Sequence, residues 1–422
     1  MEEEIKEEKI IELELINNED YNKINYYNTN GYQIIIKKVL KQIDINILFK
    51  MIYDNFNIIE VNIIEYYNLD FNPLYNALMN NYKLNTLRLN FCYSKISIDL
   101  LSNILKTNTT LKYLNLCYNN LDIHNYNNIS LFNEALKINT SLIELNLTKT
   151  NNLCCLNEQN RKLLFDGFKY NSSITNLNIS NNNLYDDIKY ISEILKYNTT
   201  LKKLNLGYNN FVFHCNYICE GLKINSSLTE LNLNNIFFET YDIIYISEAL
   251  KINSSLKKLD LSTNNITKKD CKYLCDALKI NSSLTSLYLS WNNIEEEGIF
   301  YISEALKINS SLKKLELYNC KITDKGCEYI SDALKINSSL IELNLNCNNI
   351  TDKGCEYISD ALKINSSLTK LNLLNNYITE KGYEYINEIL KNKSSLIDLE
   401  ISIYDPEDYD EFDLEELQYY TL

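Results

Sequence analysis

Apolar and polar residues alternate strictly from Leu343 to Asn346. Leu343 and Leu345 are separated and followed by Asn344 and Asn346, and this period of two predicts a short strand with its leucines on one face. From Asp352 onward the apolar spacing changes to three and four, which predicts a helix with one buried face. The apolar residues with this helical spacing are Cys355, Ile358, Ala361 and Leu362.

This strand–helix pattern recurs along most of the chain, with a period near 28 residues and two longer units. Twelve units are visible, and a weaker thirteenth begins at Ile58, with Val61 and Ile63 in its next apolar positions. The units begin at Leu84, Leu111, Leu142, Ile174, Leu201, Leu228, Leu256, Leu284, Leu312, Leu340, Leu368 and Leu396. Because one unit cannot bury both of its apolar faces, we expect the units to stack.

The repeat therefore predicts an α/β solenoid, a horseshoe of about 12–13 units with a parallel sheet on the concave face and helices on the convex face. Several columns have structural explanations. We expect an Asn ladder after the strands, close packing at the helix-opening glycines and a left-handed C-cap at Asn365. The Asn ladder comprises Asn119, Asn182, Asn209, Asn264, Asn292, Asn348 and Asn376, and the glycines are Gly298, Gly326, Gly354 and Gly382. From Lys203 to Asp398, the second strand position places mostly opposite charges on adjacent strands, which gives weakly favourable cross-strand pairs.

These residues resemble the ribonuclease-inhibitor-like (RNI-like) leucine-rich repeat family, over about three quarters of the chain from Leu84 to Ile401. The resemblance implies a horseshoe that binds protein on its concave face. The matching positions belong to the scaffold, so no binding residue of a relative carries over. Fold alone sets the expected class of function.

The pattern divides the chain into three parts. Residues 1–56 are expected to be an N-terminal cap or small helical segment, with helical apolar spacing from Lys41 to Asn55, although a small adaptor domain is an alternative. Residues 57–403 form the repeat array. Residues 404–422 are an acidic tail, expected to be solvated or to act as a tether for basic partners.

Composition narrows the partners. A net charge of −15 argues against nucleic acid and anionic membranes, and favours a protein partner with a basic or neutral surface. The twelve cysteines recur mainly at inward-facing helix positions, which predicts buried free thiols. The N-terminus lacks a signal-peptide pattern and no long apolar stretch occurs, so we expect a soluble, cytoplasmic protein. Oligomeric state is not predicted.

Catalytic chemistry has little support. The chain has two histidines, and a metal site at His214, Cys215 and Cys219 is less favoured than structural cysteines, because Cys271 and Cys275 repeat the spacing without a histidine. No phosphate-binding loop occurs, and the Asn-Ser-Ser triplets are interpreted as turns rather than glycosylation sites. We therefore predict no catalytic residue, no metal and no cofactor.

The candidate binding site lies where the outward strand column departs from its usual Asn. Asp260, Tyr288 and Glu316 are consecutive exceptions, with Trp291 and Tyr318 at the strand ends beside them. Strands about 4.8 Å apart would gather these five side chains into one patch suited to a basic partner. Drift at exposed positions of a Tyr-rich chain is the open alternative. A weaker second patch comprises Arg88, Phe91, Tyr113 and Tyr118.

The predicted function is a non-catalytic protein-binding scaffold. One alternative is a regulator of a small GTPase, since Ran GTPase-activating proteins combine this repeat type with an acidic C-terminal tail. Another is the substrate-recognition arm of a ubiquitin-ligase adaptor, joined through the N-terminal segment.

Overall fold

The computed structural model describes residues 10–15, 19–30, 33–39, 45–64, 70–90, 92–122, 126–150, 157–211, 214–393 and 395–404. Two compact units are present, the N-terminal unit (Met1–Ile236) and the C-terminal unit (Phe237–Leu422). The predicted acidic tail lies outside the described residues, apart from Tyr404.

The N-terminal unit alternates strands with helices. Its strands are β1 (Ile10–Leu15), β2 (Gln33–Val39), β3 (Ile58–Ile64), β4 (Thr86–Asn90), β5 (Lys95–Ser97), β6 (Tyr113–Asn115), β7 (Asn120–Asp122), β8 (Glu144–Asn146), β9 (Asn176–Asn178), β10 (Lys203–Asn205) and β11 (Glu230–Asn232). Its helices are α1 (Asp20–Thr29), α2 (Ile45–Tyr53), α3 (Phe71–Asn80), α4 (Ile98–Thr107), α5 (Tyr126–Ile138), α6 (Glu158–Tyr170), α7 (Ile188–Tyr197) and α8 (Cys215–Ile224). Apart from a small β5–β7 pair, the strands follow chain order in one parallel sheet.

The C-terminal unit repeats the same alternation more regularly. Its strands are β12 (Lys258–Asp260), β13 (Ser286–Tyr288), β14 (Lys314–Glu316), β15 (Glu342–Asn344), β16 (Lys370–Leu373) and β17 (Asp398–Ile401). Its helices are α9 (Thr240–Ile252), α10 (Lys268–Leu278), α11 (Glu295–Leu306), α12 (Asp324–Leu334), α13 (Asp352–Leu362) and α14 (Glu380–Lys393). The strands pair in parallel without a register shift, so side chains of one repeat position form straight columns.

Residues 1–56 contain more sheet than the pattern predicts. The expected helix is present as α2, but β1 and β2 also occur here and pair in parallel with each other and with β3. Both pairings contain a register shift, which the later repeats lack. These irregular strands hide the 28-residue period, and whether they serve as a cap stays a prediction.

The leucines that begin each unit lie in the core. All twelve predicted starts are at most 7% exposed, and Ile58, Val61 and Ile63 of the weaker thirteenth unit are fully buried. Each repeat thus buries its strand leucines and the apolar face of its helix against the neighbouring repeats, as the change of period predicts.

The Asn ladder has the predicted role of satisfying buried backbone groups. Its seven members are between 0% and 5% exposed. Asn348 donates to the carbonyls of Leu317 and Leu345, each at 2.9 Å, and accepts from the backbone N–H of Cys320 and Ile322 at 2.9 and 3.0 Å. One side chain therefore pairs groups of two successive repeats, which water cannot reach.

The prediction of a left-handed cap at Asn365 is wrong. Asn365 is not among the residues with positive φ, and Lys363, which caps the end of α13, has a right-handed conformation. Its amide instead donates to the carbonyls of Leu334 and Asn337, and its Oδ1 accepts from the N–H of Leu368 at 2.8 Å. The Asn is therefore selected by its side-chain hydrogen bonds rather than by tolerance of a left-handed backbone.

The glycines that open the helices pack as predicted. A Cβ at Gly354 would lie 2.5 Å from Ile350 Cγ2 and 2.7 Å from Asp324 Oδ1. Asp324 Oδ1 also accepts from the Gly354 N–H at 2.9 Å, while Oδ2 accepts from the Thr351 hydroxyl at 2.7 Å. The missing side chain allows this carboxylate to reach the backbone of the next repeat.

Candidate functional site

Three of the five predicted site residues are direct neighbours across the sheet of the C-terminal unit. Asp260 pairs with Tyr288, and Tyr288 pairs with Glu316, so one side-chain column crosses β12, β13 and β14. All three lie on the face opposite the buried Leu259 and Leu287. We call this face the strand face, and the five residues Asp260, Tyr288, Trp291, Glu316 and Tyr318 the strand-face patch.

Two lysines flank the ring of Tyr288. Lys258 Nζ lies 4.6 Å from the ring centroid and Lys314 Nζ lies 5.8 Å from it. Both lysines stand two residues before a site residue on their own strand, hence on the same face. Sequence reasoning assigned them only to the alternating charge column. The strand period of two puts both polar positions of each strand on one face, and this pattern could have located the two lysines beside Tyr288.

Glu316 is already paired within the protein. Its carboxylate lies 3.0 Å from Lys314 Nζ and accepts from Asn344 Nδ2 at 2.6 Å. Lys314 also lies 3.0 Å from Glu342. Burial lowers the pKa of Lys314, but the Glu342 and Glu316 carboxylates outweigh it and hold that pKa above its ordinary value. Lys314 therefore stays charged and links two neighbouring strands.

Trp291 and Tyr318 form the aromatic edge of the patch. Their ring centroids are 5.3 Å apart at an interplanar angle of 75°, an edge-to-face contact. Trp291 occupies the left-handed region with φ of 57°, and its backbone N–H donates to the Tyr318 carbonyl at 2.8 Å. Burial and then the neighbouring Cys347 thiol raise the pKa of Tyr318 to about 12, so the phenol is neutral near pH 7.

The three aromatic side chains of the strand-face patch are partly covered by their neighbours. Tyr288, Trp291 and Tyr318 are all half-buried, because Tyr288 lies beneath two lysine side chains and the other two rings cover each other. The surface next to the aromatics is consequently mixed in charge rather than acidic.

Over the whole strand face of the C-terminal unit, the two polar strand positions carry five carboxylates against three lysines. The carboxylates are Asp260, Glu316, Glu342, Asp398 and Glu400, and the lysines are Lys258, Lys314 and Lys370. Lys370 lies 3.7 Å from Glu342 and 4.0 Å from Asp398. A small excess of negative charge remains after this pairing.

The weaker patch of the N-terminal unit is only partly brought together. Arg88 forms an ion pair with Glu60 of the preceding strand. Tyr118 contacts Lys149, with Nζ 4.9 Å from its ring, and packs edge-on against Tyr93. Tyr113 is 37% exposed. Phe91 lies outside the described residues.

The cysteines pack in the core. Nine of the ten described cysteines are buried and all ten are free thiols, while Cys347 is half-buried. Burial raises the pKa of Cys320 and of Cys355 to about 12. The Sγ atoms of Cys215 and Cys219 lie 3.9 Å apart. The described residues contain no group of three His, Cys, Asp or Glu side chains arranged to hold a metal ion. His124 lies outside the described residues.

The Asn-Ser-Ser triplets present no accessible amide in the core repeats. Asn281, Asn309 and Asn337 are each 6% exposed, and their Nδ2 atoms donate to backbone carbonyls of the preceding repeat. The amide nitrogen that a glycan would need is thus already used in the fold. In the described part of the chain, none of the helices has the length and apolar character needed to cross a bilayer.

Comparison with known proteins finds leucine-rich repeats in part of the chain. The family described as Leucine Rich repeat matches residues 197–212, 253–275, 281–303, 309–331 and 337–359. The chain is similar to an internalin from Listeria monocytogenes str. 4b F2365, with 22% identity, 82% of each chain covered and a TM-score of 0.47. It is also similar to Leiomodin-1 Actin-Binding Site 2, with 23% identity, a TM-score of 0.29, and 41% of this chain and 85% of that chain covered. No curated protein sequence matches it.

Proposed function

Because this chain is an α/β leucine-rich repeat solenoid, we propose that it is a non-catalytic scaffold that binds a protein partner on the strand face of its C-terminal unit. The strand face corresponds to the face expected to be concave. Within the repeat family we assign the RNI-like subtype, on the basis of the strand–helix unit of about 28 residues. Its ten described free thiols are typical of a reducing compartment, which supports a cytoplasmic location.

The observation that carries the proposal is the ordered aromatic group at Tyr288, Trp291 and Tyr318. Each ring is held by contacts with its own fold, so binding would cost little side-chain entropy. Aromatic residues fixed in this way are the usual centres of protein interfaces. In the column of Tyr288, seven of the other eleven repeats hold Asn, which offers no such apolar area.

The charges around the rings indicate the kind of partner. Five carboxylates against three lysines leave the strand face slightly negative, which favours a basic or neutral partner surface. Glu316 is already paired with Lys314 and Asn344, so a basic group of the partner would have to compete there. We therefore expect Asp260 to be the main acidic contact and the aromatic rings to contribute most of the affinity.

The test is affinity capture by the intact protein from its own cell lysate, with mass spectrometry, alongside a Tyr288→Ala/Trp291→Ala variant. The matched control is Tyr273→Ala/Phe300→Ala, which removes two aromatics of similar size from the helices, where they are 41% and 40% exposed. We expect a partner that the control retains and the strand-face variant loses. Circular dichroism melting should show that both variants stay folded.

A direct binding titration with that partner then gives the magnitude. Removing two aromatic anchors should weaken binding by roughly 100-fold or more. Equal affinity for the wild-type chain and the strand-face variant would place the binding surface elsewhere on the molecule.

A further inference from the structure

Five asparagines form one column on the sheet of the N-terminal unit, on the face opposite its buried strand leucines. The parallel strands β6, β8, β9, β10 and β11 pair without a register shift, and each ends in an Asn. Because neighbouring strands lie about 4.8 Å apart, the column is about 19 Å long. We call it the amide row, and its members are Asn115, Asn146, Asn178, Asn205 and Asn232.

The backbone fixes the orientation of each amide in the row. Every Oδ1 accepts a hydrogen bond from the backbone N–H two residues later, at 2.8–3.0 Å. Only the oxygen of an amide can accept from an N–H, so the Nδ2 group is the end that is left to donate. In the part of the chain that the structure describes, no group accepts from these five Nδ2 atoms, and all five reach solvent. The row therefore presents a line of hydrogen-bond donors.

The C-terminal unit shows which group such an amide takes. Asn344 and Asn372 hold the same repeat position, and their Oδ1 atoms also accept from the backbone N–H two residues later. Asn344 Nδ2 donates to the Glu316 carboxylate at 2.6 Å, and Asn372 Nδ2 donates to the Glu400 carboxylate. Each carboxylate stands beside its Asn in the same column, on the adjacent strand. The amide row has no such neighbour between its ends, because all five of its positions are Asn.

We propose that the amide row binds an acidic peptide segment of a partner protein, whose side-chain carboxylates take the place that Glu316 and Glu400 hold in the C-terminal unit. Each contact is a charge-assisted hydrogen bond, which is stronger than a bond between neutral groups. Five donors in one line favour a ligand that carries several carboxylates on one chain, since each contact raises the effective concentration for the next. The amide row and the strand-face patch share no residue, so either surface can bind without the other.

The charges beside the amide row do not oppose an acidic ligand. Lys203 lies 2.7 Å from Glu230, and Glu144 accepts from Asn176 Nδ2 at 3.3 Å. Residues 1–236 contain 22 Lys and Arg against 25 Asp and Glu, so most of the chain's net charge of −15 belongs to the C-terminal unit. Long-range repulsion of an acidic segment is therefore weak at the N-terminal unit.

The test is fluorescence anisotropy of a labelled octapeptide of glutamate, titrated with the full chain. The row variant is Asn146→Asp/Asn205→Asp. Each new Asp keeps an Oδ1 for the backbone N–H, as Asp260 does for Ser262 at 3.0 Å, but it loses the donors and repels a carboxylate. Asn178 stays between the two substitutions, so no two new carboxylates lie on adjacent strands. The melting temperature should therefore change little.

The matched control is Asn76→Asp/Asn103→Asp, which adds the same charge at exposed positions of α3 and α4. We expect the wild-type chain and the control to bind the peptide with a Kd of about 100 μM or tighter. The row variant should bind at least about 10-fold more weakly. An octapeptide of glutamine, which offers carbonyl oxygens without charge, should also bind the wild-type chain at least about 10-fold more weakly.

Four results would overturn the proposal. The first is no binding of the glutamate peptide at about 1 mM protein. The second is equal loss of affinity in the row variant and the control, which would assign the effect to net charge. The third is equal affinity for the glutamine peptide, or equal competition by free N-acetylglutamate at the same carboxylate concentration. The fourth is tighter binding of a thymidine octanucleotide, which would make phosphate the preferred ligand.

Discussion

Trp291 and Tyr318 belong to successive repeats and are joined twice, by a backbone hydrogen bond of 2.8 Å and by an edge-to-face ring contact at 5.3 Å. The backbone bond fixes the left-handed turn of Trp291 against the next strand end. The ring contact then restricts both side chains to one arrangement. An aromatic surface that is rigid before binding loses little conformational entropy when a partner covers it.

Trp291 is the only tryptophan, so its fluorescence reports on this contact alone. We predict that Tyr318→Ala shifts the emission to longer wavelength and raises acrylamide quenching, because water replaces the tyrosine ring. Tyr357→Ala, on the helices of the same unit, should leave both quantities unchanged. Identical spectra for the Tyr318→Ala variant and the wild-type chain would mean that the two rings do not meet in solution.

Cys347 should be the most reactive of the described thiols. It is half-buried beside Tyr318, whereas the other nine are buried. Burial raises the pKa of Cys320 and Cys355 to about 12, so only about one in ten thousand of these thiols is ionised at pH 8. Iodoacetamide labelling at pH 8 followed by peptide mass spectrometry should modify Cys347 first.

The raised pKa of the buried thiols also has a stability consequence. In the unfolded chain such a thiol ionises near pH 8.5, and in the folded chain near 12. Its stabilising contribution is therefore complete below about pH 8 and is lost as the pH rises towards 12. Protection of Cys320 and Cys355 from labelling should disappear over that range, whereas rapid labelling of both at pH 8 would contradict their burial.

Asn348 should be one of the costliest single positions in the fold. Asn348→Ala removes a 3% exposed amide that serves both Leu317 and Cys320 of the preceding repeat. The unfolding free energy should fall by roughly 2–4 kcal/mol, because several buried backbone groups lose their partner at once. Urea denaturation measures this loss. The neighbouring Asn349 is exposed, and Asn349→Ala should change the free energy by less than about 0.5 kcal/mol.

The contrast between these two asparagines shows what the sequence could predict. Asn348 belongs to a column that holds Asn in seven of the twelve repeats, so periodicity alone revealed the ladder and the strand register. The strand-face patch was found as a departure from the usual Asn of one strand column. The repeat pattern shows that these side chains share a column, but it does not show which atoms they contact. The position of Lys258 and Lys314 over Tyr288 depends on the rotamers of long side chains, which no repeat pattern specifies.

The irregular N-terminal strands could not be predicted from the repeat period. β1 and β2 each contain or adjoin a register shift, so their apolar residues fall out of step with the later units. A search for the 28-residue period passes over them.

Ser331 offers a substitution that should stabilise the protein. It is 1% exposed inside α12, and within the described residues its hydroxyl has no hydrogen-bond partner. Ser331→Ala removes an unsatisfied buried group and improves helix propensity, so the free energy of unfolding should rise by about 0.5–1 kcal/mol. Ser247 holds the same position in α9, but its hydroxyl donates to the Ile243 carbonyl at 2.7 Å. Ser247→Ala should therefore give no gain, and equal gains at both positions in thermal denaturation would show that helix propensity alone is responsible.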